Sequence, residues 1–255
     1  MTLTLRTDRP LVRAAARSTR YLHIAFAAPV VPSRADRRPL SVAFVLDRSG
    51  SMGGAKIRLA RQAVDAAVRL LTPDDLFSIV VYDDRVDVLV AATQATAEAR
   101  RLALDRLAAI DARGATDLHT GWLRGCEQVA DSASPDTIAR CILLSDGLAN
   151  HGMTDREVLA TRAAQLRSTH VVTSTLGVGA DFDERLMKAM ASSGGGNFYY
   201  VEQPQQIEDV LTSELGEALE VVARRARVDI DLPAGVEAEL MHDFRAELDG
   251  RRLRI

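Results

Sequence analysis

The residues best able to do chemistry in this sequence carry oxygen atoms and stand at the ends of apolar runs. The run SVAFV leads into Asp47, and Ser49 and Ser51 follow at alternate positions. The run CILLS leads into Asp146, and Thr116 lies in the segment RGATDL between the two runs. Oxygen ligands suit a hard divalent cation and offer nothing soft to zinc or copper. These five residues predict a metal site, with Mg²⁺ as the favoured ion and Mn²⁺ or Ca²⁺ as alternatives.

The pattern between residues 41 and 219 predicts an α/β fold. Short β-branched runs alternate with helical patterns, which is typical of a doubly wound, mostly parallel sheet with helices on both faces. Six strands are predicted, at 41–47, 76–82, 86–90, 139–146, 171–179 and 197–202. Too few residues separate the second and third strands for a parallel crossover, so the third is predicted to be antiparallel and at an edge.

The predicted sheet explains why the five residues should meet. In open α/β sheets, ligands bind beyond the carboxyl ends of the strands, at the point where the strand order reverses. Asp47 and Asp146 each end a predicted strand, and Thr116 stands at the start of a predicted helix. We therefore expect these residues to come together at one edge of the sheet.

Helix signals lie between the strands. Apolar residues at steps of three and four predict a helix from Ala55 to Leu71. Thr154 and Glu157 have the spacing of a capping box, and Pro204 is predicted to open the last helix.

The two ends of the chain do not continue the alternation. Residues 1–39 and 221–255 contain strand-like runs without helices, and Asp249-Gly250 is a strong hairpin turn. We expect both ends to form one small β-sandwich beside the α/β domain of residues 40–220. The chain stops directly after the hairpin, which suggests that the flanking domain is incomplete.

The composition is that of a soluble globular protein, with 47% hydrophobic and 26% charged residues. A formal net charge of −3 argues against a nucleic-acid partner. The apolar run that starts at Tyr21 is too short to cross a bilayer and follows five arginines, so we expect no membrane insertion and a cytoplasmic location. Cys126 and Cys141 lie in a predicted helix and a predicted strand, which favours two buried thiols over a disulfide.

Five segments, in order, resemble the von Willebrand factor type A (VWA) domain and its metal-ion-dependent adhesion site (MIDAS). The segments are FVLDRSGSMGGAKIRLARQAV, LTPDDLFSIVVYDDRVDVL, GATDL, ILLSDGLANHG and STLGVGADFDERLMKAMASSGGGNFYYVEQPQQIEDVL. The resemblance is to the bacterial branch and extends from roughly Leu40 to Leu219. The flanking strands resemble those of inter-alpha-trypsin-inhibitor-like and chloride-channel-accessory-like members.

The resemblance implies a role for each residue of the metal set. Ser49 and Ser51 bind the metal directly, Thr116 binds directly or through water, and Asp47 and Asp146 act mainly through waters. Neutral hydroxyls beside the ion, with the carboxylates one layer out, leave the ion electrophilic. An open coordination position then attracts an Asp or Glu of a protein partner, and the bacterial relatives suggest a MoxR-type ATPase.

Three further residues are expected to line the rim of the site, where a partner would bind. Asp117 stands where the family often has asparagine, and it either adds a carboxylate near the ion or caps a helix. His119 and His151 follow the two loops that supply Thr116 and Asp146.

Two alternatives to a binding module remain open. One is a phosphoesterase-like hydrolase in which a Mg²⁺-bound water attacks the substrate and His151 is the base. The other is a structural domain whose site is never occupied. The sequence places no nucleophile–base pair near the metal set, which favours a non-catalytic binding module over an enzyme.

Overall fold

The computed structural model describes residues 2–11, 17–27, 38–134, 136–147, 151–219, 227–241 and 246–255. The chain divides into two units, Pro32–Glu220 and Met1–Val31 with Val221–Ile255. Its strands are β1 (Thr2–Thr7), β2 (Leu22–Ala27), β3 (Leu40–Asp47), β4 (Leu76–Tyr82), β5 (Val86–Gln94), β6 (Ile138–Ser145), β7 (Val171–Val178), β8 (Gly195–Val201), β9 (Asp229–Asp231), β10 (Glu247–Asp249) and β11 (Arg252–Arg254).

The larger unit contains a six-stranded sheet in the order β5-β4-β3-β6-β7-β8. Strands β3, β4, β6, β7 and β8 run parallel, and β5 pairs antiparallel with β4 at the edge. This confirms the predicted sheet and its antiparallel edge strand. β5 continues to Gln94, four residues past its predicted end. The prediction ended at Val90 because the mostly exposed residues after it lack the apolar pattern that marked the strand.

Helices cover both faces of this sheet, as predicted. They are α1 (Ala55–Leu70), α2 (Ala97–Ala108), α3 (Leu118–Ala130), α4 (Arg156–Ser168), α5 (Glu184–Gly194) and α6 (Ile207–Leu219). One apolar cluster joins α1, α2 and α6 to side chains such as Phe44, and the other joins α3, α4 and α5 to side chains such as Val45. β3 and β6 are buried along their whole length because the sheet is covered on both sides. Cys126 and Cys141 are buried and free, as predicted.

The helix ends differ in detail from the sequence signals. Asp155 rather than Thr154 caps α4, and its Oδ1 accepts hydrogen bonds from the backbone N–H groups of Glu157 (2.9 Å) and Val158 (3.0 Å). The predicted cap at Thr154 is wrong because the carboxylate one residue later lies directly at the helix start. Pro204 opens a short 3-10 turn that precedes α6, rather than α6 itself.

The smaller unit consists of two short sheets in its described residues. β1 and β2 pair antiparallel, with Leu3 opposite Phe26. β11 pairs antiparallel with both β10 and β9, and the turn between β10 and β11 contains Gly250 at φ 60°. This confirms the predicted hairpin, whereas the sandwich arrangement stays a prediction. Among the described residues, none of the helices has the length and apolar character needed to cross a membrane.

Candidate metal centre

The candidate site lies where the winding of the sheet changes direction. β3 pairs with β4 on one side and with β6 on the other, so the strand order reverses at the β3–β6 pair. Asp47 is the last residue of β3, and Asp146 directly follows β6. Carboxyl ends of parallel strands share one edge of a sheet, so two carboxylates 99 positions apart in the chain become neighbours.

Asp47 is completely buried, and both of its carboxylate oxygens accept hydrogen bonds. Oδ1 accepts from the Ser49 backbone N–H at 2.8 Å, and Oδ2 accepts from the Ser145 hydroxyl at 2.5 Å. Burial raises the pKa of Asp47, and the nearby charge of Asp146 adds to the rise, while these hydrogen bonds oppose it. A cation at this site would offset the cost of keeping the Asp47 carboxylate out of water.

The two serines lie on the turn from β3 into α1. The Oγ atoms of Ser49 and Ser51 are 3.1 Å apart, so their alternate spacing places both hydroxyls on the same side of the turn. Ser51 Oγ donates to Asp146 Oδ1 at 2.7 Å, and the Lys56 ammonium donates to the other oxygen of Asp146. Gly54 has φ 75°, a backbone conformation that residues with a side chain rarely adopt. Glycine at this position lets the chain turn into α1.

Thr116 comes from a separate loop and is buried. A Cβ atom built on Gly147 would lie 3.4 Å from Ser51 Oγ and 3.5 Å from Thr116 Oγ1. The two hydroxyls therefore border the same small space, which any side chain at position 147 would begin to fill. The structure thus places near one another the five residues that the sequence predicts for the metal set.

An ion-pair network centred on the buried Asp83 links the loop after β3 to the loop before α3. Asp83 Oδ2 accepts hydrogen bonds from the Nε atoms of Arg48 and Arg113, both at 2.8 Å. The Arg113 N–H donates to the Arg48 carbonyl at 2.6 Å, and the Gly50 N–H donates to the Gly114 carbonyl at 3.1 Å. Burial raises the pKa of Asp83, but its hydrogen bonds and the two arginines outweigh that effect and lower the pKa overall. The network fixes the backbone that carries Ser49 and Thr116.

The three predicted rim residues lie in or beside the start of α3. Asp117 is the N-cap of α3, and its carboxylate accepts hydrogen bonds from Thr120 N at 3.1 Å and Thr120 Oγ1 at 2.9 Å. His151 is 59% exposed, with Nδ1 3.5 Å from Asp117 Oδ2. Burial lowers the pKa of the half-buried His119, and Arg162 adds to this, while Asp117 opposes it. Of the two interpretations of Asp117, the geometry supports the helix cap, and the partner-binding role of the rim stays a prediction.

Sequence reasoning missed two residues that contact the carboxylates of the site. The Ser145 hydroxyl donates a hydrogen bond to Asp47, and the Lys56 ammonium donates one to Asp146. Ser145 could have been found because it directly precedes Asp146 at a strand end. Lys56 gave a weaker signal, since it stood among the polar residues of a predicted amphipathic helix.

The available donors fit a hard divalent cation. Among the residues that the structure describes, His, Cys, Asp and Glu form no group of three or more that could hold a metal ion. A metal at this site would therefore depend on the hydroxyls of Ser49, Ser51 and Thr116, with the carboxylates of Asp47 and Asp146 behind them. Such a set of hydroxyl and carboxylate oxygens suits Mg²⁺.

The family model of the von Willebrand factor type A domain matches residues 41–213. The chain belongs to the VWA domain family. This family comprises metal-dependent adhesion and protein-interaction modules.

Relatives of this VWA domain occur in bacteria and in animals. The uncharacterized protein sll0103 of Synechocystis sp. is 32% identical over 205 residues, which cover 79% of this chain and 47% of the relative. Inter-alpha-trypsin inhibitor heavy chain H1 of Homo sapiens is 28% identical over 209 residues, which cover 78% of this chain and 22% of the relative. The matched segment thus spans less than half the length of either relative.

Solved structures share the fold. A von Willebrand factor type A protein from Catenulispora acidiphila superposes with a TM-score of 0.62 and 21% identity, over 72% of this chain and 43% of that protein. Proximal thread matrix protein 1 from the mussel byssus, solved with a zinc-occupied MIDAS motif, has a TM-score of 0.55 and 22% identity over 71% of this chain and 46% of that protein.

Proposed function

We propose that this VWA domain is a divalent-metal-dependent protein-binding module. Asp47, Ser49, Ser51, Thr116 and Asp146 hold Mg²⁺, and an Asp or Glu side chain of a protein partner binds at the site. The observation that carries the proposal is the placement of the Ser51 and Thr116 hydroxyls around the space beside Gly147, with the buried Asp146 carboxylate next to it. The zinc-occupied MIDAS of the mussel byssus protein supports a divalent cation at this place, because that protein shares this fold.

Each residue of the set has a distinct part in the proposed module. The hydroxyls bind without cancelling charge, and the buried carboxylates hold those hydroxyls in place through hydrogen bonds such as Ser51 Oγ to Asp146. When bound, Mg²⁺ supplies an electrophilic centre that exchanges a water for a carboxylate oxygen. The Arg48–Asp83–Arg113 network keeps the backbone of the site rigid, so less ordering is needed when the partner binds.

Calorimetric titration with Mg²⁺ tests the metal part of the proposal. We expect the wild-type chain to bind one ion, and Thr116→Ala to weaken binding by about tenfold or more, because one of the few ligands is lost. Ser192→Ala, at an exposed position on α5, is the matched control and should bind as the wild type does. Absence of Mg²⁺ uptake by the wild type at millimolar concentration would refute the proposal.

Carboxylate binding can be tested with acetate. Mn²⁺ bound to the protein relaxes the protons of its exchanging water, and acetate should reduce this relaxation by replacing a water. Acetamide, which has a similar shape and no charge, is the control. Equal responses to acetate and acetamide would contradict the proposed preference for an acidic partner.

The geometry gives the hydrolase alternative little support. His151 is largely exposed, and its Nδ1 lies 3.5 Å from Asp117 Oδ2, so this ring nitrogen faces the N-cap of α3. A phosphoesterase assay with p-nitrophenyl phosphate should therefore give no turnover above background. Turnover that disappears in His151→Ala would instead favour the hydrolase.

The family resemblance suggests a MoxR-type ATPase as the partner. Its binding should require Mg²⁺, and EDTA should abolish it if an acidic side chain of the ATPase binds at the metal. Co-elution of the two purified proteins that is the same with Mg²⁺ and with EDTA would argue against this mode of binding.

A further inference from the structure

The metal site contains a cationic side chain that the five-residue set does not include. Lys56 lies in the first turn of α1, and its ammonium contacts Oδ2 of Asp146. Asp146 is completely buried, and its other oxygen accepts a hydrogen bond from Ser51 Oγ at 2.7 Å. The Asp146 carboxylate is therefore shared between a hydroxyl of the metal set and a fixed positive charge.

The choice of lysine at position 56 is itself informative. Only two of the 32 Lys and Arg residues of the chain are lysines, Lys56 and Lys188. The Lys56 side chain is 25% exposed, and a Cβ atom built on Gly179 would lie 3.6 Å from both Cε and Nζ. An ammonium is a compact point charge that can engage one carboxylate oxygen, whereas a guanidinium is larger and favours two. The confined position beside Asp146 suits the smaller cation.

The charges of the site show what this ammonium would change. Asp47 and Asp146 together balance the two positive charges of Mg²⁺, so Lys56 leaves the loaded site with one net positive charge. The carboxylate of a bound partner restores neutrality. Without the metal, Lys56 reduces the local charge from two negative charges to one, which limits the cost of burying the carboxylates.

We propose that Lys56 is a positioning residue that sets the charge of the metal site. Its ammonium lowers the affinity of the site for Mg²⁺ and raises the affinity of the loaded site for a carboxylate. This inference rests on the proposed function, because it concerns the same metal and the same class of ligand. It goes further in predicting that one side chain affects the two binding steps in opposite directions.

The test compares the wild-type chain with Lys56→Met, which keeps most of the side-chain length and removes the charge. Arg58→Met removes an exposed charge from the same helix and controls for the general field of α1. Calorimetry should show that Lys56→Met binds Mg²⁺ about tenfold more tightly, since a nearby like charge is removed. Acetate should bind the Mn²⁺-loaded variant at least about threefold more weakly. Arg58→Met should change either affinity by less than about twofold, because solvent and salt screen an exposed charge.

A third measurement does not depend on the metal. In EDTA, Lys56→Met should unfold about 5 °C below Arg58→Met, because Asp146 loses its counter-charge. Lys56→Arg, which keeps the charge, should bind Mg²⁺ more weakly than Lys56→Met. If the wild type takes up no Mg²⁺, the proposed function fails and this inference falls with it. If the wild type binds Mg²⁺ and Lys56→Met binds it equally or more weakly, the inference alone is overturned.

Discussion

A buried ion pair far from the metal set should contribute strongly to the stability of the VWA domain. Glu214 on α6 is completely buried and forms an ion pair with Arg140 on β6. The same carboxylate accepts hydrogen bonds from Ser174, from Asn197 at 3.0 Å and from Tyr199 at 2.7 Å. Glu214 thereby joins the last helix to β6, β7 and β8.

Replacing Glu214 with Gln removes the charge while keeping the size of the side chain. Arg140, only 8% exposed, then remains buried without its counter-charge. The NH₂ of the new amide also faces at least one of the groups that donate to Glu214, and that donor loses its acceptor. Breaking a buried pair by changing one partner costs about 3–5 kcal/mol. Because a domain of this size loses about 2–4 °C of melting temperature for each kcal/mol, we expect a decrease of about 6–20 °C.

Urea denaturation followed by fluorescence measures this loss, since the single tryptophan, Trp122, is buried in the larger unit. Glu208→Gln, at an exposed position of the same helix, is the control and should cost less than about 1 kcal/mol. Replacing both Arg140 and Glu214 with apolar residues should recover part of the loss. If Glu214→Gln and Glu208→Gln have equal free energies of unfolding, the ion pair does not stabilise the fold as argued.

Four other outcomes are expected. Gly125→Ala should destabilise the domain by about 1–3 kcal/mol in urea denaturation, because its Cβ would lie 2.1 Å from Val45 Cγ2. No atom of the described residues lies within 4 Å of a Cβ built on Gly216, so Gly216→Ala should stabilise α6 by about 0.5–1 kcal/mol, and equal effects of the two changes would contradict the packing. Asp83→Asn should cost about 1.5–3 kcal/mol at neutral pH. Folding lowers the pKa of Asp83, so this difference should shrink as the pH falls below 3.8, and a constant difference would exclude the ion pairs as its cause. Mg²⁺ at 100 times its dissociation constant should raise the free energy of unfolding by about 2.7 kcal/mol, and an equal gain in Thr116→Ala would place the metal elsewhere.

Local patterns were enough to predict the framework of the VWA domain. β3, β4 and β6 are apolar runs. The link between β4 and Val86 is too short for a parallel crossover, so β5 was predicted to pair antiparallel with β4. Asp47, Ser49 and Ser51 are close in the chain, so their shared position on one turn follows from spacing alone. These features depend on residues a few positions apart, and for that reason periodicity and turn length reveal them.

Only the tertiary structure decided which distant side chains meet. Lys56 and Asp146 are 90 positions apart, and they meet because α1 begins at the edge of the sheet where β6 ends. Arg140 and Glu214 are 74 positions apart, and they meet because α6 packs on the face of the sheet. The approach of the Ser51 and Thr116 hydroxyls beside Gly147 likewise depends on three separate parts of the chain. The sequence determined which oxygens were available, since strand ends and turns are local features. Folding determined which charges surround them, because electrostatic interactions act between neighbours in space.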